Sequence, residues 1–501
     1  MTLINSIASW LMKKRMHQIE LFLKYPLDVQ RDSLLKLLRA AKDTEWGKEY
    51  RYGEIRDPSH FRSRVPLQDY NTLRPYIDKI RKGEQQILWP GEIRWFAKSS
   101  GTTGDKSKFI PLSEESLEEC HFKGGKDMLS IYCSNFPETR MFTGKSLGLS
   151  GSLRNTGEWM KGFEGDLSAL IIQNLPILAE LARTPPAEIA LMDNWEEKID
   201  KMAKVTSTEN VTSIAGVPSW MFLLLKHILD HCGKTHIHEV WPNLEVFFHG
   251  GVNFAPYQTH FDQIIDREKI FYLETYNASE GFFGIQDQKA EKDLLLMLDY
   301  GIYYEFIPRE GEKTTEAVGL EEVKLGIDYA MVISTNAGLW RYQIGDTIRF
   351  TSTDPYRIKI SGRTKMFINA FGEELMIHNA EDAIKIACDK THASVVEFTG
   401  GPWFNDSGAG GAHEWIIEFD QLPENPDYFK EVFDNALKSL NSDYEAKRFN
   451  DMILGPPRII IAPQGSFYRW MKAKQKLGGQ FKVPRLSNNR LVLDDLRRFL
   501  L

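Results

Sequence analysis

The chain has 501 residues but only four cysteines, Cys120, Cys133, Cys232 and Cys388. They are scattered and lack metal-ligand spacing, which argues against a structural zinc site and a disulfide framework. Free thiols in a reducing, cytoplasmic setting are the expectation. No stretch is apolar for the roughly 18 residues that a membrane-spanning helix needs, so no stable membrane association is expected. Signal-peptide order is missing too, because Lys13-Lys14-Arg15 follow the short apolar patch Ile7–Met12 instead of preceding it. That patch is expected to pack against the protein's own body. Basic residues are not in excess: 62 against 69 acidic ones give a net charge of −7 and no electrostatic reason to expect nucleic acid. No internal repeat stands out, and no obligate protein partner is implied. What is present is globular composition, 42% hydrophobic with 29 phenylalanines and 12 tryptophans, enough for substantial cores. The length exceeds what a single core supports, so two to four structural units are expected.

Residues 1–45 have helical periodicity, with Ile19, Phe22, Leu23 and then Leu34, Leu35, Leu38 three and four apart, and Pro26 separating two helices. A strand is predicted over Glu92–Ala97 and a helix over Ser113–Cys120, with Ser113 as its cap. Farther on, Asn243–Phe248 leads into Gly250-Gly251, Ile270–Glu274 into Tyr276–Gly281, and strands at Tyr329–Ser334 and Thr347–Phe350 flank Gly338–Asp346. This alternation predicts an α/β body with loops converging on one edge. A boundary falls within Ile358–Met366. Beyond it, helices near 375–388 and 427–440 alternate with strands near 393–399, 413–419 and 457–462, the makeup of a smaller α+β domain. The expected division is 1–360 and 361–501. Ser407–Gly411 is expected to be a flexible loop, since it lacks a cation and a helix-opening sequence.

Four polar clusters follow strand-like segments. Ser99-Ser100-Gly101-Thr102-Thr103-Gly104-Asp105-Lys106-Ser107-Lys108 combines hydroxyls, glycines and lysines, a mixture suited to an anionic ligand approached closely by backbone. It is not the usual P-loop, whose glycines stand four residues apart before Gly-Lys-Ser/Thr. In the second cluster Tyr276 and Glu280 stand four apart; the aromatic suits a base or ring, and the carboxylate either coordinates a hard metal or caps a helix. The third, Gly345-Asp346, offers a carboxylate to a ribose diol or is an ordinary turn. The fourth, Gly362-Arg363-Thr364-Lys365, is a basic turn that contacts nucleotide, acts as a pivot, or is a solvated hinge. Of the 12 histidines only His249, beside Gly250-Gly251, falls at an expected site edge, and none stands out as a general base.

Taken in order, these residues resemble the auxin-responsive acyl acid amido synthetase family, a branch of the adenylate-forming enzymes that includes firefly luciferase and acyl-CoA synthetases. Ser99–Gly104 resembles the phosphate-binding motif of both groups, and Lys108-Phe109-Ile110-Pro111 continues in the style of the plant family. Tyr276-Asn277-Ala278-Ser279-Glu280 is similar to its Tyr-x-x-Ser-Glu motif, Tyr342–Asp346 to Tyr-Arg-x-Gly-Asp, and Gln480–Arg485 to Gln-Tyr-Lys-x-Pro-Arg. Trp46-Gly47, Val65-Pro66-Leu67 and Tyr76-Ile77 fit its N-terminal pattern. One departure is Gln343, where the family has arginine; Arg341 stands close enough in sequence to supply charge from another direction.

The resemblance implies a large multi-layer α/β N-terminal domain of the adenylate-forming type with a smaller C-terminal α+β domain. It implies ATP and Mg²⁺, a small carboxylic acid activated as an acyl adenylate, and an amine, an amino acid in this family, as acceptor. Carried over residue by residue, Ser99, Ser100, Gly101, Thr102, Thr103, Gly104 and Lys108 surround the phosphates. Glu280 holds the metal, Tyr276 and Ser279 lie by the nucleotide, and Asp346 accepts from the ribose. Gly250-Gly251 borders the adenine and acyl group, Arg363 adds nucleotide contacts near the hinge, and Lys482 closes over the adenylate. The segment 141–220 is expected to shape the acyl side. Two other readings share parts of this apparatus: a ligase passing the acyl group to a thiol such as coenzyme A, and a non-catalytic nucleotide or small-acid binding protein. The joint presence of Lys108, Glu280 and Asp346 argues against the latter.

Overall fold

The computed structural model describes residues 3–99, 108–151, 153–155, 162–251, 254–309, 316–363, 367–368, 370–371, 373, 375–404, 411–448, 454–475, 482–487 and 489–500. Ser100 to Ser107, most of the Ser407–Gly411 stretch, and Gln480-Phe481 therefore lie outside the described residues.

The N-terminal helices Leu3–Lys24 and Pro26–Ala41 break where Pro26 supplies a first helical position needing no N–H partner. Leu34, Leu37, Leu38 and Ala41 bury the inner face of the second helix. Gln30 fixes that helix to the main sheet, donating from Nε2 to the carbonyls of Leu298 and Ile302 at 2.9 Å each and accepting from the Tyr304 amide.

Among the described residues the main sheet has 11 strands and is mixed. Its parallel half contains Lys145–Gly148, Val211–Gly216, Val246–Gly250 and Phe271–Ala278, hydrogen-bonded in that order. Val246–Phe248 is an apolar, buried run, as expected of a parallel strand covered on both faces. The other half is an antiparallel run in which Ile302–Pro308, Asp328–Thr335, Tyr342–Thr353 and Tyr356–Arg363 are successive neighbours. Gly250 and Ala278 thus end adjacent parallel strands on one edge, where an open α/β sheet places its ligands.

Three local features differ from the sequence reading. The first strand is Trp95–Ser99, three residues later than expected at its start; Glu92 and Arg94 instead form an exposed ion pair ahead of the sheet. It pairs antiparallel with Lys108–Leu112, Ser99 opposite Lys108, so a second strand precedes the helix that begins at Glu114. Ser113 does cap a helix, accepting from the Ser116 amide at 2.9 Å, but that helix does not stop at Cys120. It passes into a π-helical turn, Leu117–Phe122, and continues as Lys123–Asn135.

The smaller C-terminal α+β unit has Ser394–Phe404 antiparallel to Gly411–Gln421, which runs parallel to Arg458–Ala462. Helices Ile377–Thr391 and Pro426–Leu440 cover one face. Trp415, fully buried between them, meets Phe433 edge-on at 5.0 Å. From this unit Ile416, Phe467, Trp470 and Val483 join the core built on helix Pro218–Cys232 of the large domain. The two domains are therefore docked through apolar packing.

Candidate active site

A cavity of about 1710 Å³ lies where the parallel strands end and the C-terminal unit docks. Lys108, Gly250, Gly251 and Tyr276 line it, as do Ser279, Glu280, Asp346 and Lys482, so the structure brings together residues from five separate stretches of chain. Ser100, Gly101, Thr102, Thr103 and Gly104 lie outside the described residues, and so does the side chain of Ser99. Arg363 sits in register opposite Asp346 across neighbouring strands; its side chain is not among those described.

Tyr276 closes the strand Phe271–Ala278 and its hydroxyl donates to Asp346 Oδ2 at 2.7 Å. This holds the carboxylate from a strand that is not its neighbour, three strands of the sheet standing between Phe271–Ala278 and Tyr342–Thr353. Glu280 follows in the turn between Phe271–Ala278 and Gly281–Ile285, two antiparallel strands. No helix begins there, so the helix-cap alternative for Glu280 is excluded. Tyr342 is fully buried nearby, and its hydroxyl finds no hydrogen-bond partner among the described residues. Burial pushes its phenol well above the ordinary range, helped by the negative charge of Glu280 and Asp346. Two carboxylates therefore converge on one wall, with the unmet hydroxyl of Tyr342 buried behind it.

The neighbouring strand end needs its glycines. A Cβ on Gly250 would stand 2.4 Å from the Thr275 carbonyl oxygen, and Gly251 has φ +81°, a left-handed conformation that L side chains rarely adopt. Into this turn reaches Lys482, whose Nζ donates to the Gly251 carbonyl. Arg485 anchors the lysine's segment: Nη2 donates to the Tyr257 hydroxyl at 2.8 Å and Nη1 pairs with Glu397 at 2.5 Å. Elsewhere on the lining, Lys108 Nζ lies 6.0 Å from the ring centre of Tyr70, whose hydroxyl accepts from the Phe109 amide at 2.9 Å.

Arg341 does not compensate for Gln343. Its guanidinium is buried, paired in fork geometry with Glu305 at 2.9 Å on both nitrogens, and donates to the carbonyls of Arg62 and Val65. Gln343 lines the cavity and Arg341 does not. His249 is buried against Phe254 at 4.3 Å, and burial lowers its pKa to about 3. A ring so reluctant to take a proton is a poor general base at neutral pH.

Three lining residues were missed by sequence reasoning. Tyr70 falls in a stretch where only family anchors were noted. Glu274 stands two residues before Tyr276, and the two-residue period of a strand was the signal for it; burial pushes its carboxyl up to about 7, opposed by Lys292 and Lys359. His121 lies one position past the predicted helix end.

A mixed sheet with glycine-shaped strand ends, a docked α+β unit and a lysine reaching from that unit into the cleft define an adenylate-forming ligase. Comparison with known proteins narrows the class. Sequence profiles of the GH3 family N-terminal, central and C-terminal domains match residues 15–270, 295–363 and 378–491, and the chain belongs to the GH3 family. It is accordingly an ATP-dependent acyl acid amido synthetase, joining a carboxylic acid to an amine. Similar proteins include indole-3-acetic acid-amido synthetase GH3.3 of Arabidopsis thaliana, 23% identical and covering 91% of this chain and 89% of that protein. Jasmonoyl–L-amino acid synthetase JAR6 of Nicotiana attenuata is 25% identical, with 91% and 90% covered. The solved GH3.15 acyl acid amido synthetase superposes with a TM-score of 0.80 at 18% identity, covering 98% and 96%. 2-Hydroxyisobutyryl-CoA ligase in its postadenylation state shares the fold more distantly, with a TM-score of 0.61 at 11% identity over 94% of this chain and 91% of that one. No helix of the described residues is long and apolar enough to cross a membrane.

Proposed function

We propose that the cavity runs two half-reactions and that the residues above divide the work. In the first, the acid's carboxylate oxygen attacks the α-phosphorus of ATP. A carbonyl–oxygen–phosphorus linkage forms, the α–β bridging bond breaks, and pyrophosphate leaves with the bonding electrons. In the second, an amine attacks the activated carbonyl, sheds a proton and displaces AMP. An amino acid is the acceptor we favour, in line with the activity in the name of the Nicotiana relative.

The observation that carries this reading is the meeting of Tyr276, Glu280 and Asp346 with Lys482 in one cavity. Asp346, held by Tyr276, accepts from the ribose hydroxyls, and Tyr276 and Ser279 border the nucleotide. Ser99 to Gly104 and Lys108 surround the phosphates, Arg363 adds a nucleotide contact, and Lys482 sits over the adenylate. Alignment and charge neutralisation are what such a displacement demands of a protein. Mg²⁺, held by Glu280, would supply positive charge to the phosphate oxygens. The donor chemistry fits: the Glu280 carboxylate, an oxygen donor suited to a hard cation, lines the cavity. One carboxylate plus phosphate oxygens is a common Mg²⁺ arrangement.

The mobile unit in this scheme is 361–501, hinged beside Gly362, whose φ of +154° lies at the edge of the region open to glycine alone. The four cysteines, none of them in a disulfide, support a cytoplasmic setting.

Glu280→Gln tests the assignment, because it removes charge while keeping size. We expect carboxylate-dependent pyrophosphate exchange to fall at least about 100-fold, as when a charge-stabilising group is removed, with the thermal midpoint moved by no more than about 2 °C. Equal metal-dependent exchange in variant and parent would remove Glu280 from the metal site. Replacing the amine by coenzyme A in the product assay separates amide from thioester formation.

A further inference from the structure

One compartment of the cavity lies between the π-helical turn, helix Leu167–Gln173 and the ends of two strands. Met128, Leu167, Ile171, Phe248 and Phe282 make its walls apolar. Gly125 leaves it open, since a Cβ there would meet nothing within 4 Å. A carboxylic acid's hydrocarbon body fits such walls by burial of apolar surface.

His121 interrupts this apolar lining. It is 5% exposed, lines the cavity, and neither ring nitrogen is hydrogen-bonded to a described residue; Nδ1 is wholly shut off from solvent. Buried polar groups in folded proteins are usually paired, so an unmet imidazole facing a cavity points to a partner that arrives with a ligand. The neighbouring polar groups already have partners: Ser168 Oγ accepts from the Gly151 amide at 3.1 Å, and Cys120 Sγ accepts from the Phe282 amide at 3.2 Å. The backbone carrying His121 is itself unusual. π-helical turns inside α-helices occur mostly as single turns, frequently at functional sites, because the extra residue re-aims the side chains after it. Phe282 rests against Gly124, where a Cβ would meet its ring at 2.6 Å, so the turn, the glycine and the opposing strand fit one another.

We infer that His121 is a specificity-determining residue of this compartment and that the acid activated here has an apolar body bearing a hydroxyl group remote from its carboxylate. The inference rests on the adenylation reading and names its substrate class. A hydroxyl both donates and accepts, so it serves either neutral tautomer of imidazole. A charged substituent would lose its hydration in the apolar compartment without a counter-charge. Burial keeps the ring neutral down to about pH 4, so the discrimination is flat between about pH 6 and 9.

Matched acids test it: 3-phenylpropanoate against its 4-hydroxyphenyl counterpart, and octanoate against 8-hydroxyoctanoate. Pyrophosphate exchange and calorimetric binding are measured for the parent, His121→Leu and His121→Gln. At least one hydroxylated acid should be favoured about tenfold or more in kcat/KM by the parent, the size expected when a site's polar group would otherwise stay unpaired. His121→Leu should bring that ratio within about twofold, through the KM of the acid and not that of ATP. His121→Gln should keep part of it. A parent that favours the unsubstituted member of both pairs, or a leucine variant that keeps the hydroxyl preference, overturns the assignment. If no acid supports exchange, the adenylation reading fails; calorimetry then decides His121 alone, equal binding of the hydroxylated acids to parent and leucine variant counting against it.

Discussion

His121 and His249 both line the cavity, and burial disfavours the charged form of each. Burial lowers them to about 4 and about 3 from an ordinary 6.5. The unfolded chain takes up a proton on each near 6.5, whereas the folded chain does not until the lower value is reached. Below 6.5 the unfolded state thus binds more protons, and stability falls with pH by about 1.4 kcal/mol per unit for each ring. Above 6.5 that contribution is fully present. Glu274, pushed up to about 7, has the opposite sign: its folded form holds a proton that the unfolded form has lost, so its contribution fades as pH rises from 4.5 to 7. The diagnostic quantity is therefore a difference between proteins. His249→Phe keeps the contact with Phe254 and removes one titrating ring, so its unfolding free energy, measured in urea between pH 4.5 and 6, should rise with pH less steeply than the parent's by about 1.4 kcal/mol per unit. Identical slopes would mean that His249 takes up its proton equally in both states. Neither ring's state was legible in sequence, because desolvation depends on what Phe247, Phe254 and the helix around residue 121 pack against them.

At the scale of elements, the segment 482–487 shows how Lys482, the side chain proposed to close over the adenylate, is positioned by a neighbour. Arg485 lies over the Phe398 ring at 4.3 Å, pairs with Glu397 and bonds Tyr257 of the large domain. Thr399 Oγ1 and the Gly400 amide donate to the carbonyls of Pro484 and Arg485, so three residues past Lys482 the chain is pinned to a strand. Arg485→Met keeps length but leaves Glu397 without its cation. Breaking a buried pair on one side costs about 3 kcal/mol, and denaturant unfolding should register that loss. Glu397→Gln in the same chain should recover most of it, while the adenylation rate, which needs Lys482 in place, stays about tenfold down. A single variant within about 1 kcal/mol of the parent would mean that the guanidinium clamps nothing. The motif containing Lys482 and Arg485 was readable as a unit from its order. The strand pairing that sets Ser99 opposite Lys108 was not, since pairing across eight residues is set by the sheet, and the π-helical turn follows from how Phe282 sits on Gly124.

At the scale of the whole molecule, hydrophobic alternation was enough to read a large α/β body and a smaller α+β unit, because each builds its own core around residues such as Tyr304 and Trp415. How the two meet was not readable, for the contacts are between residues far apart in sequence. One such contact is the ion pair of Glu196 with Lys472, exposed on both sides and joining helices Trp195–Thr206 and Ser466–Ala473. In this arrangement Lys482 reaches the Gly250-Gly251 turn, the geometry that suits acid activation. In the proposed scheme the amine then enters a cleft that the C-terminal unit covers, and a domain rotation about residues near Gly362 would open it. Cysteines placed at positions 196 and 472, with the partly exposed Cys232 and Cys388 changed to serine, allow the two domains to be joined by a thiol crosslinker. The joined protein should retain pyrophosphate exchange within about twofold and lose amide synthesis by about tenfold or more, the split expected when a closure step gates only one half-reaction. Using a cleavable linker, reduction should return both to the level of the unjoined protein. Amide synthesis at full rate with the domains joined would show that both half-reactions proceed in the single arrangement seen here, and the amine would then have to reach the carbonyl through the open side of the cavity.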